Sequence, residues 1–200
     1  MRLIRISFVI LLASFMITAC KKTADEDAVS YADLALLATF GDQGNGTITA
    51  PGGYLVAKCA VGQVWNGGLN NCSGTGSGTT YGAQSMAYCS VANSCSDTTT
   101  LLATSGPAFV ACANYSVSGI TGWRLPSVTE LTGLTTSFNR NTIILMFPQT
   151  PDDKFFWTRE TNPNKTDYSE AYGISFAETT FGTMTSYDKV ASPLYVRCVK

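Results

Sequence analysis

Two hundred residues, 45% hydrophobic and 14% charged, make up one globular domain plus a targeting segment and exclude both a disordered chain and a polytopic membrane protein. Lys and Arg number 13 against 14 Asp and Glu, and removing Arg2 and Arg5 with a signal peptide leaves a net charge of about −3, which is no footprint for nucleic acid. Histidine is absent, so the commonest general base, every Ser-His or Cys-His nucleophile and the usual imidazole metal ligands are missing. A carboxylate pair, a Ser-Lys arrangement or a redox cysteine remains available, but none stands at a recognisable spacing. No catalytic residue, metal or cofactor is expected.

Arg2 and Arg5 precede an apolar run over residues 6–19 that is short for a permanent span and suited to the hydrophobic region of a secretory signal. The run ends in Ile17-Thr18-Ala19-Cys20, which resembles the bacterial lipoprotein box, with Cys20 as the lipidated residue. The expected division is a signal peptide over 1–19, a lipidated tether over 20–40 and a folded domain over 41–200. Lys21 is not the aspartate associated with inner-membrane retention, so an exported, lipid-anchored protein of the outer membrane or cell surface is expected, with the periplasmic face as the alternative. With Cys20 assigned to lipid, Cys59, Cys72, Cys89, Cys95, Cys112 and Cys198 can close three structural disulfides, and spacing alone leaves about 15 connectivities open.

Residues 31–40 form a short helix or stay extended. Asn45-Gly46 and Asn66-Gly67 are the strongest hairpin signals, because both residue types tolerate positive φ. A strand is expected over 54–59, and the turn over 63–71 brings Cys59 near Cys72, the first choice of pairing. Gly74, Gly76 and Gly78 lie in a loop without the lysine of a phosphate cradle. The apolar positions Met86, Ala87, Cys89 and Val91 suit a helix over 81–92. Pro126-Ser127 with Glu130 reads as a capping box opening a helix whose buried stripe is Val128, Leu131 and Leu134. Beyond Phe147 the chain reads as strands over 155–158, 171–176, 181–186 and 194–199, giving an α+β domain.

Residues 40–49 (FGDQGNGTIT), 122–131 (GWRLPSVTEL), 155–158 (FFWT) and 195–200 (YVRCVK) resemble, in that order, the Lcl C-terminal-like domain family. The resemblance implies a C-type-lectin-like fold with two short helices, small antiparallel sheets and long loops. It also implies bridges from Cys89 to Cys198 and from Cys95 to Cys112. The function it implies is extracellular recognition, in the best known relative adhesion to glycosaminoglycan, although this slightly acidic chain lacks the basic surface a sulfated polymer wants. Arg124-Leu125-Pro126-Ser127 with Glu130 also resembles an element of sulfatase-modifying enzymes, whose chemistry needs reactive cysteines.

Neither Glu160-Thr161-Asn162-Pro163-Asn164 nor Asp42-Gln43-Gly44-Asn45-Gly46 has the oxygen-ligand order of a calcium site. Trp123, Arg124 and Leu125 read as helix-seating residues, Arg124 pairing a nearby acid, and Trp157 reads as core. Asp152 and Asp153 read as a turn. The polar segment 159–170 is the expected ligand surface, with Arg159, Glu160, Asn162, Asn164, Tyr168 and Glu170 able to hydrogen-bond hydroxyls. The expected function is non-catalytic recognition of a glycan or extracellular protein, as an adhesin; a sulfatase-modifying-factor-like enzyme is the runner-up, and a purely structural envelope lipoprotein a third reading. An oligomer is compatible with this reading.

Overall fold

A computed structural model describes residues 40–73, 80–137, 139–151 and 153–200. The signal peptide, Cys20, the tether up to residue 39, the glycines at 74, 76 and 78, and Asp152 lie outside the described residues.

Turn chemistry organises the first sheet. Strand β1 (Gly41–Asp42) turns into β2 (Thr47–Thr49) and then β3 (Leu55–Ala57) as an antiparallel meander. The Asn45-Gly46 signal marks the first turn, but positive φ falls on Gly44 and Gly46 rather than on Asn45, whose side chain instead accepts from Thr47 N–H and O–H. At Gly46 a Cβ would sit 2.7 Å from both the Trp65 indole and Val117, so glycine is required by space as well as by backbone conformation. The Asn66-Gly67 signal is likewise a turn, closed by an Asn66–Asn71 bridge, with the left-handed residue at Asn70.

The second sheet has five strands in the order β4 (Ser85–Met86), β8 (Leu194–Tyr195), β5 (Phe155–Thr161), β6 (Glu170–Ser175) and β7 (Met184–Asp188). It is mixed, since β5 and β8 run parallel. Consecutive strand residues point to opposite faces, so Phe156 enters one core cluster with Leu131, Leu134, Phe147 and Phe176, while Trp157 enters the other with Tyr88, Trp123, Leu125 and Val196. Trp157 is fully buried and its indole N–H donates to Met86 O at 2.8 Å.

Among the described residues there are three α-helices, one more than the resemblance implied: α1 (Pro107–Ala113), α2 (Val128–Ser137) and α3 (Arg140–Met146), with a 3-10 turn at Glu178–Thr180. The expected helix over 81–92 is absent. Its apolar positions belong to strand β4, where Ser85 and Met86 pair with Tyr195 and Leu194, and to the half-cystine Cys89. The first helix of the described residues lies instead at Pro107, a residue preorganised for the first helical position.

That shift corrects the disulfides. Cys59 bridges Cys72 as expected, but Cys89 bridges Cys95 and Cys112 bridges Cys198. A cysteine of the first helix does reach the terminal segment, yet the first helix carries Cys112, and Cys89 is left to close a short local loop.

Residues 194–200 join the two sheets. Tyr195 pairs with Phe156 of β5, while Val199 bridges both Val56 of β3 and Arg124. Between them Arg197 is wholly buried, with no carboxylate partner among the described residues. Its guanidinium donates to the Ala57 and Lys58 carbonyls and to Thr150 Oγ1, and lies 4.5 Å, 5.3 Å and 5.9 Å from the rings of Phe147, Phe156 and Phe176. Burial lowers its proton affinity, but a guanidinium remains charged, held here by carbonyl dipoles and aromatic faces.

Candidate functional site

The capping box expected from sequence forms as read. Glu130 N–H donates to Ser127 Oγ at 3.0 Å, and the Glu130 carboxylate accepts from Ser127 N–H at 2.7 Å. The same carboxylate takes a two-pronged contact from Arg124 at 2.8 Å and 2.6 Å. Burial pushes the Glu130 carboxyl up, but the Arg124 guanidinium and the Ser127 N–H outweigh it and hold it down at about 2. Trp123 and Leu125 on either side are core residues, so this motif fixes the start of α2 rather than presenting a reactive group.

What it fixes is one wall of a groove. Val128 and Thr129, at the first turn of α2, face Thr100, Leu101, Glu160, Pro163, Tyr172 and Met184 around an open depression of about 430 Å³. Glu160 accepts from Val128 N–H at 2.9 Å, which locks β5 to the helix start. The opposite wall is the loop 97–102, wound about Asp97. Its carboxylate accepts from Thr99 N–H, Thr100 N–H and Thr100 O–H, contacts that hold its pKa below the ordinary value. Leu101 sits in the left-handed region at φ 58°, uncommon for a non-glycine residue and characteristic of sites held by their surroundings. Thr161 N–H donates to Leu101 O at 2.8 Å, tying this loop to β5.

The six residues expected to form the ligand surface separate into two groups on the β5–β6 hairpin. Asn162 is buried: its Oδ1 accepts from Asn164 N–H and Tyr172 O–H, both at 3.0 Å, and its Nδ2 reaches Glu170 at 3.4 Å. Glu170 takes Lys165 at 2.9 Å and Ser186 at 2.5 Å, and these contacts, Ser186 foremost, lower its pKa. Arg159 gives its carbonyl to Tyr88 O–H and Ala103 N–H and lies 3.6 Å from Glu160. These three shape the hairpin. Asn164 and Tyr168 are exposed at its tip and Glu160 lines the groove, so these three can meet a ligand.

Beneath the tip, Tyr168, Asn93, Ser96, Thr98 and Lys189 line a cavity with room for about one water molecule, roughly 20 Å³. Lys189 is buried, donates to Ser96 Oγ at 3.1 Å and lies 5.6 Å from the Tyr88 ring. Burial drives its ammonium pKa down to about 8, against the attraction of Asp167. Leu101, Tyr172, Met184 and Lys189 escaped the sequence reading. The signal for Leu101 was the Asp-Thr-Thr-Thr run before it, a composition that makes side-chain-capped turns; for Lys189 there was none, since lysine is ordinarily exposed. No cluster of three or more metal-ligating side chains exists among the described residues, nor any helix there long and apolar enough to cross a membrane. Asp153, read as a turn residue, accepts from Tyr195 O–H at 2.7 Å.

These observations define an α+β domain cross-linked by three disulfides, with a shallow groove where a rigid hairpin meets a helix start. The chain belongs to the Lcl C-terminal domain family, which it matches over residues 58–200; membership suggests a surface or secreted protein domain. No curated protein and no solved structure matches the chain.

Proposed function

We propose that the protein is a non-catalytic recognition module of the bacterial envelope, a lectin-like adhesin that is lipid-anchored through Cys20 and binds a glycan or matrix protein at the β5–β6 hairpin and its groove. The observation that carries this reading is the fixed geometry of a polar, open surface: Asn162, Glu170 and Glu160 immobilise the hairpin, while Asn164 and Tyr168 are exposed at its tip. Binding to a surface already held in place avoids the ordering cost of a mobile loop. Disulfides fit the oxidising compartment of an exported protein. A cysteine-based sulfatase-modifying activity is disfavoured, because every described cysteine is closed in a disulfide.

An array of glycans and matrix proteins, probed with the oxidised protein in calcium and in chelator, tests the proposal. Saturable binding that falls at least tenfold in an Asn164→Ala, Tyr168→Ala double variant is expected. Folded, oxidised protein that binds nothing on the array would point to a structural envelope role instead.

A further inference from the structure

A second groove lies among loops of the other core cluster and shares no residue with the hairpin site. Gln63, Val64 and Trp65 form one wall and Tyr115, Ser116 and Ser118 the other, around about 250 Å³. That is smaller than a drug-sized pocket of roughly 300–1,000 Å³ and open at the surface, so it suits a ring or two of a chain that continues beyond it.

Both walls are rigid. The Cys59–Cys72 disulfide closes the loop that carries Trp65. Gln63 fixes the same loop by accepting from Ala60 N–H at 2.8 Å and donating to the Thr80 and Gln149 carbonyls at 3.1 Å and 2.7 Å. Across the groove, Ser118 O–H donates to Asn45 O at 2.7 Å and Tyr115 O–H to Cys59 O at 3.3 Å. The Trp65 ring rests against the Lys58 ammonium, 4.8 Å from its centroid, and against Gly46. Lys58 is itself paired with Asp42 at 2.6 Å.

What the protein leaves without a partner of its own is informative. The Gln63 side chain is fully engaged, whereas the Trp65 indole N–H and the Ser116 hydroxyl make no hydrogen bond to the protein among the described residues. An indole N–H can only donate. The groove therefore offers aromatic and apolar surface, including a 54% exposed Val64, a strict donor and no charged lining residue. A sulfated or acidic polymer would be desolvated there without a counter-charge. A sugar ring would bring several hydroxyls, each wanting partners, to a wall whose unengaged side-chain polar groups among the described residues are the indole N–H and the Ser116 hydroxyl. Proline in an extended segment brings the complement: an apolar ring, carbonyls with no internal hydrogen bonds and no N–H of its own. We propose that this groove binds a neutral, proline-containing extended segment of a partner protein, a proline ring packing on Trp65 while a neighbouring carbonyl accepts from its indole N–H.

Tryptophan emission of the oxidised full-length protein in detergent gives the readout, because Trp123 and Trp157 are 3% and 0% exposed and only Trp65 meets an added ligand. Synthetic decaproline is expected to shift the emission saturably, with a dissociation constant on the order of 1 mM or tighter; a Gly/Ser decamer is expected to leave it unchanged. In calorimetry Trp65→Leu should weaken decaproline at least tenfold, and Tyr168→Ala on the hairpin should change nothing, which separates this site from the adhesin site. Should Trp65→Leu fail to fold, Val64→Lys at the exposed rim decides, with loss of binding expected. The proposal is overturned if decaproline gives no saturable shift, if Val64→Lys binds it as well as the parent, or if diacetylchitobiose binds and decaproline does not.

Discussion

Glu130→Gln isolates the charge at the centre of the helix start, because glutamine at this position still serves a capping box while losing the ion pair to Arg124. In the folded protein the Glu130 carboxyl is held at about 2, against an ordinary 4.5, a gap equivalent to about 3 kcal/mol at neutral pH. The Arg124 side chain is 39% exposed, so screening reduces this to roughly 1.5–2 kcal/mol. Glu130→Ala adds the lost cap, about 1 kcal/mol more. For a domain of this size Glu130→Gln should lower Tm by about 3–8 °C. Since folding lowers this carboxyl's pKa, its contribution is complete above about pH 4.5 and disappears as pH falls towards about 2. Urea unfolding followed by circular dichroism, with disulfides intact, at neutral pH and in steps down to about pH 2, should show parent and Glu130→Gln converging in acid. A difference below about 0.5 kcal/mol at neutral pH, or one undiminished in acid, would refute the reasoning.

Removing the Cys112–Cys198 bridge, which spans 86 residues, should cost about 4.6 kcal/mol, and removing Cys89–Cys95, which spans six, about 2 kcal/mol; non-reducing peptide mapping should recover Cys112 linked to Cys198, and a Cys89–Cys198 peptide would contradict the fold. Lys189→Met should leave stability at neutral pH unchanged or raise it by about 1–3 kcal/mol. Burial depresses this ammonium to about 8, so the parent gains stability as pH rises from there towards 10.5, and the advantage of the variant in denaturant titrations should shrink over that window. Gly46→Ala should cost about 1–3 kcal/mol, through left-handed backbone and overlap with Trp65 and Val117, whereas Gly44→Ala, with open space around its Cβ, should cost about 1 kcal/mol or less in the same titrations.

The parts of the fold legible in the sequence are those whose determinants are local. Ser127 and Glu130 stand three residues apart and need only each other to define a helix start; Asn45-Gly46 and the short Cys59–Cys72 loop are similar. Residues 81–92 misled because Met86 and Cys89 are apolar for reasons outside the segment, a strand partner in β8 and a disulfide to Cys95. Buried Arg197, Lys58 and Lys189 were invisible, since a cation reads as surface until the carbonyls, carboxylate or rings that accept it are in place. The hairpin of the candidate site was legible as one continuous polar segment. Its facing wall was not, because Leu101, Thr129 and Met184 come from three distant stretches that only the tertiary fold brings together.

Residues 194–200 follow in the chain every element they tie together. Strands β3, β4 and β5, helix α1 through Cys112, and Arg124 all find their last partner there, and the Phe147, Phe156 and Phe176 rings close only around Arg197. The domain therefore behaves like a drawstring: a chain folded only as far as its earlier elements holds strand edges and half-cystines without their mates, and the docking of residues 194–200 is what draws them closed.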